Sequence, residues 1–192
     1  MQDAYHGPVA VQAAVDLANT LRPIKGEDAL ETVEQLRKFL DGHPAAAPPS
    51  SAANQGPRHL TRADLTEVRA LRETVREVLE RAAADPVEAA GLINDGLRRN
   101  RATPVLRHED DRWWTEVISD TDRCSAHLAA TLLSALASVI ATLGPARLGV
   151  CAGLNCRATF VDLSRNGSKQ YCTRNCAHRA SVAAYRSRRS PR

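Results

Sequence analysis

Apolar positions recur at helical spacing through most of the first 145 residues, broken by turn-forming clusters. Residues 9 to 21, VAVQAAVDLANTL, place Val11, Val15, Ala18 and Leu21 on one face, and Pro23 stops the pattern, which predicts a first helix. A second is predicted from Glu27 to Asp41 through Leu30, Val33, Leu36, Phe39 and Leu40, closed by Gly42. The stretch 43 to 57, HPAAAPPSSAANQGP, has no large apolar residue and reads as a surface loop. Thr61 is suited to capping a long helix whose stripe is Leu65, Val68, Leu71, Val75, Val78 and Leu79. The charges of that helix, including Arg69, Arg72, Glu73, Arg76 and Glu77, are expected in solvent.

Asp85 followed by Pro86 supplies a cap and a first helical position, opening a helix that runs to about Arg99. The period then changes. TPVLRH and RWWTEVI flank the turn-like EDD and predict a β-hairpin over residues 103 to 118. Trp113 and Trp114 point to opposite faces of the second strand, so at least one is expected buried and the other partly exposed. From Thr121 to Leu143, Leu128, Leu132, Leu133, Leu136, Val139, Ile140 and Leu143 make a broad apolar face cushioned by alanines, the mark of a central core helix. Cys124 near its start is expected to be a buried or half-buried thiol. Gly144-Pro145 ends the helix, so the fold class expected is mainly α with one hairpin: a helical domain over 1–145 and a small module over 146–192.

Composition sharpens this division. Aromatic residues are only 4% of the 192, so the core must be built from Ala, Leu and Val. Residues 151 to 192 carry nine Lys or Arg against one acid, Asp162, a balance of +8, whereas residues 1 to 150 hold 17 basic and 21 acidic residues, a balance of −4. The basic character therefore belongs to the C-terminal module, and clustered cations of this kind suit a polyanion. No apolar run is read as long enough for a membrane span, and no basic-then-apolar leader opens the chain, so no membrane partner and a cytoplasmic location are expected.

Four of the five cysteines form two close pairs, Cys151 with Cys156 and Cys172 with Cys176, fifteen residues apart. In a reducing compartment this spacing reads as one tetrahedral zinc site rather than disulfides. With four sulfurs bound, no coordination position remains for water, so the ion is structural and replaces a core that so short a segment cannot build. Between the pairs, Thr159, Phe160 and Val161 favour a strand, Asn166-Gly167 a hairpin turn, and Gln170-Tyr171 a returning strand. A helix beginning at Cys176 should follow, with Val182 and Tyr185 toward the metal, which makes a knuckle, a hairpin and a helix. Arg165, Asn166, Lys169 and Arg174 on the hairpin and second knuckle are candidate nucleic-acid contacts. So are His178, Arg179, Arg186, Arg188 and Arg189 on or past the helix.

Arg147-Leu-Gly-Val-Cys151, Phe160-Val-Asp162, Ser164-Arg-Asn-Gly-Ser168, Tyr171-Cys172 and Cys176-x-x-Arg179-Ala180 together resemble the CGNR zinc finger, a bacterial module. Upstream, AVDLANT, DLTEVRALRETVR, GLINDGL and the hairpin with Trp113-Trp114 resemble the ABATE domain that precedes it. The resemblance implies a stress-linked transcription regulator whose finger binds DNA and whose helical domain senses a ligand or forms a homodimer. This chain departs from the signature, reading Cys-Ala-His-Arg, with Ala177 and His178 in place of Gly and Asn. The alternative is a docking adaptor whose finger binds a protein such as RNA polymerase. Asp16 and Asn19, one turn apart on an apolar helix, are candidate ligand-binding residues together with Trp113 and Trp114. His6, Asp16, Asn19 and His108 form no nucleophile–base pair, phosphate loop or open metal site, so an enzyme is not expected.

Overall fold

The computed structural model describes residues 7–22, 24–44, 59–109 and 111–189. Thus His6 and nearly all of the expected 43–57 loop lie outside the described residues. The first helix, α1 (Pro8–Ala18), is followed by a miniature ladder, β1 (Leu21–Arg22) paired antiparallel with β2 (Glu27–Asp28). Next come α2 (Val33–Gly42), α3 (Arg62–Arg81) and α4 (Pro86–Arg99). The hairpin is β3 (Ala102–Glu109) with β4 (Arg112–Ser119), and α5 (Cys124–Leu143) leads through a 3-10 turn into β5 (Leu148–Val150), β6 (Thr159–Val161) and α6 (Arg174–Arg189).

Helix α5 is the hub. It packs against α1, α3, α4 and β4, and Leu128, Leu132, Leu133 and Leu136 are fully buried. Gly96 lets α4 come close, because a Cβ there would run into Leu133 Cδ1. Helix α5 also corrects the reading that no run is long enough to span a membrane. Its 20 residues include no Asp, Glu, Lys or Arg, and an 18-residue stretch of it with a mean hydropathy of 1.8 makes the helix long and apolar enough by length and composition. Most of its apolar face is buried against protein neighbours, and of the leucines expected on that face only Leu143, at its end, is exposed.

Both predicted caps of the long helices are present. Thr61 accepts from the Asp64 N–H while the Asp64 carboxylate accepts from the Thr61 N–H, and Asp85 accepts from the Glu88 N–H at 3.0 Å. The hairpin holds the register Thr103 with Ile118 and His108 with Trp113. Neither tryptophan is fully buried, against expectation: Trp113 is exposed and stacks at 4.4 Å on the His108 ring, and Trp114 is half-buried. The hairpin packs on α5 near its base, so residues toward its tip have no second layer to bury them.

The second helix starts six residues later than its apolar period suggests. Residues 27 and 28 are held in the ladder, where the Asp28 carboxylate accepts the Leu30 N–H at 2.8 Å and the Arg72 guanidinium at 2.7 Å. Thr32 then opens α2 through a capping box with Gln35, a T-x-x-Q signal that the apolar pattern overran. A second correction concerns α3. Arg72 and Arg76 are buried, not solvated, because each finds partners on the elements α3 packs against. Arg76 donates to the carbonyls of Ala18 and Leu21, both at 3.3 Å, and of Arg157 at 2.8 Å, and pairs with Glu80.

Candidate metal centre and the cleft beside it

The Cys151 N–H donates to the Ala158 carbonyl at 2.8 Å, which closes a knuckle directly on strand β5. Inside that knuckle Asn155 takes φ +56°, and the Cys156 N–H returns to the Gly153 carbonyl. The second pair lies at the start of α6, which begins at Arg174 rather than at the last cysteine. Thr173 Oγ1 accepts the Cys176 N–H at 3.3 Å, as a capping residue does, and so places Cys176 in the first helical turn.

These two segments bring the four Sγ atoms within 4.8 Å of one another. Cys172 Sγ lies 3.7 Å from both Cys156 Sγ and Cys176 Sγ. Four sulfurs held tetrahedrally at about 2.3 Å from zinc would be separated by about 3.8 Å, so this donor set fits the ion. Backbone N–H groups of Gly153 and Cys172 point at Cys151 Sγ from 3.4 and 3.3 Å, the arrangement that steadies a metal-bound thiolate. Burial pushes the Cys172 thiol well up, whereas the Thr173 side chain and, against burial, Arg179 draw Cys176 down to about 6. Four sulfurs this close cannot all carry charge without a cation among them, and zinc is that cation.

The expected hairpin between the pairs is differently made. β6 pairs with β5, Leu148 opposite Val161, and Gln170-Tyr171 form no strand. The loop after β6 is organised by Asp162, which is buried and accepts the N–H groups of Ser164 at 2.9 Å and Lys169 at 2.8 Å. Burial would raise this carboxyl, but the hydrogen bonds from Ser164 and the Lys169 backbone outweigh it and hold its pKa below the usual carboxylate range. Arg147 braces the same loop by donating to the Ser164 carbonyl at 2.5 Å. Gly167, at φ +60°, leaves the space that this guanidinium occupies. Neither Arg147 nor Asp162 was a candidate by residue type, although both stand in the motif quoted above.

The candidate nucleic-acid residues divide. Arg165, Asn166 and Lys169 lie in the exposed loop, and Arg174 and His178 occupy one exposed face of α6. Arg186 and Arg188 are exposed nearer its end, and Arg189 closes it. Tyr185 is 52% exposed and lies on the same face as Arg174 and His178, so it is not directed at the metal. Arg179 donates to Cys176 Sγ at 3.2 Å and is thereby drawn toward the metal centre.

Asn19 reaches across the chain. Its amide donates to the Thr159 carbonyl at 3.0 Å while its Oδ1 accepts the Thr159 N–H at 2.8 Å, so the side chain of the residue that caps the end of α1 takes the place of a strand neighbour for β6. Asp16 accepts from Gln12 at 2.8 Å and from His43 Nε2 at 3.1 Å. Both residues line a cleft of about 530 Å³ between α1 and the finger. Neither tryptophan lines it.

A family model described as "Putative stress-induced transcription regulator" matches residues 12–143, more than half of the chain. The chain belongs to the ABATE family. A CGNR zinc finger model matches residues 147–189, so the ABATE region and the finger meet in the turn after α5. No curated protein matches the chain. Within this zinc finger the substituted Ala177 sits in the first turns of α6, its N–H donating to the Thr173 carbonyl, where alanine is favoured over glycine by up to about 1 kcal/mol. His178 is exposed on the outer face and stands apart from the four sulfurs.

Proposed function

We propose that this ABATE–CGNR protein is a DNA-binding transcription regulator of bacterial stress responses, acting in the cytoplasm and without catalytic activity of its own. The observation that carries the reading is the charge on the zinc-held surface. The one acid of residues 151–192, Asp162, is buried in the loop it organises, whereas Arg165, Lys169, Arg174, Arg186 and Arg188 are exposed. Zinc and the Asp162 loop hold this surface rigid, so its cations meet phosphates without ordering a flexible tail first. Helix α6 presents Arg174, His178, Ser181 and Tyr185 along one face, opposite the Cys176 side, which is the geometry for entering a groove.

Gel shifts against a pool of genomic fragments at graded salt test this. Arg174→Ala should weaken binding uniformly and lower the slope of log K against log salt by about 0.9 for a single phosphate contact. Arg179→Ala is a poor substitute, because Arg179 also faces the zinc thiolates. Absence of binding at low salt would overturn the proposal. It would favour a docking adaptor for a protein such as RNA polymerase, a reading supported by Leu154, which stands 75% exposed on the first knuckle.

A further inference from the structure

We infer that the cleft between α1 and the zinc finger binds a small organic anion, with its apolar body against Val11, Val15 and Phe160 and its charged head between Lys25 and Arg157. The size suits such a ligand, since pockets for small molecules enclose roughly 300–1,000 Å³, and this one encloses about 530 Å³. Its walls belong to two parts of the molecule. Helix α1 and the β1–β2 turn form one side, and the first knuckle, β6 and the start of α6 form the other.

The sign of the ligand follows from the charged groups that face the cleft. Arg22, Lys25, Arg157, Lys169 and Arg179 line it, against a single carboxylate, Asp16. Asp16 already accepts hydrogen bonds from Gln12 and His43, which leaves it poorly placed to recruit a cation. Three of the cations are also engaged. Arg22 pairs with Glu27 at 3.4 Å, Arg179 donates to Cys176 Sγ, and Lys169 Nζ donates to the Val161 carbonyl while lying 5.2 Å from the centre of the Phe160 ring. Lys25 and Arg157 differ: among the described residues neither pairs with a carboxylate, both are exposed, and they come from opposite walls. An anion held by both would join the helical part to the finger.

The body of the ligand is set by the floor. Val11, Val15, Phe160 and Val161 present nearly buried apolar surface, and Ile24 and Leu163, each about half exposed, stand at the mouth. Inorganic phosphate would satisfy the cations and leave this surface wet. Cys156, Cys172 and Cys176 also line the cleft, but with Cys151 their four clustered sulfurs would complete the coordination of a zinc ion, so the ligand is held by the protein and not by the metal.

The test is calorimetric titration of the full-length, zinc-loaded protein with salicylate and octanoate, which have apolar bodies and carboxylate heads. Inorganic phosphate serves as the head without the body, and benzyl alcohol as the body without the charge. Saturable binding of salicylate or octanoate at one per chain, tighter than either control, is expected. Arg157→Glu and Lys25→Glu should each weaken it by at least about tenfold with zinc content unchanged. Arg98→Glu, on the exposed face of α4 and outside the cleft, should leave it unaltered. The inference is overturned if neither carboxylate binds, if phosphate binds as tightly, which would mark a nucleic-acid phosphate contact instead, or if Arg98→Glu costs as much as the cleft variants.

Discussion

Asn19 shows how much one amide can decide. Thr159 is fully buried at the start of β6, and its backbone N–H and carbonyl both bond to the Asn19 side chain. Asn19→Ala should therefore leave two buried backbone groups without partners and cost about 2–4 kcal/mol in urea unfolding. Asp28 supports a prediction of a different kind. Burial works to raise its carboxyl, but the Arg72 side chain and the Leu30 N–H more than compensate and hold it below its ordinary value. A depressed carboxyl contributes its stability in full above the ordinary value near 4 and loses it as pH falls through the folded-state value. Asp28→Asn should thus be clearly less stable than the wild type at neutral pH, with the gap closing in acid as Asp28 itself protonates. Urea midpoints compared across that range measure it.

At the scale of elements, α6 depends most on something outside the polypeptide. Its packed side consists of Cys176 and small residues such as Ala180 and Ala183, too little apolar area to hold a helix of 16 residues. Cys172→Ser, or a strong zinc chelator, should release the metal and remove the α6 share of the far-ultraviolet helix signal, with α5 and its partners retained. Circular dichroism alongside metal analysis reports both events. The strands β5 and β6 should resist longer than α6, because Leu148 and Val161 join the main hydrophobic core and Asn19 holds Thr159. For α2 and the long helix α3, capping chemistry sets the start; in α2 it overrode an apolar period that ran on toward residue 27.

The whole molecule is more continuous than a helical domain with an appended finger. Arg76, on the third helix, donates to carbonyls in α1, in β1 and in the first knuckle at once. Arg76→Met keeps the length of the side chain but deprives three carbonyls of their donor. It should lower global stability by about 2–4 kcal/mol and make the zinc easier to extract, measured by chemical denaturation and by the rate of metal transfer to a chelator. If the finger were independently mounted, zinc extraction would be unaffected.

What could be read without the fold were the features whose physics is local. Helical periods, the Thr61 and Asp85 caps, the hairpin of residues 103 to 118 and the spacing of four cysteines each express an interaction between residues near in the chain. The features that required the tertiary structure join residues far apart. Whether Arg72 and Arg76 face water depends on what packs against α3, and the apolar stripe could not tell a buried, fully partnered guanidinium from a solvated one. The partner of Thr159-Phe160-Val161 proved to be a segment before the first knuckle, because pairing there lets Leu148 and Val161 share the main core, a gain unavailable to Gln170-Tyr171. Asn19 and Asp16 stood out in the sequence as polar residues on an apolar helix, but only the fold assigned one to a strand 140 residues away and placed both beside the zinc finger.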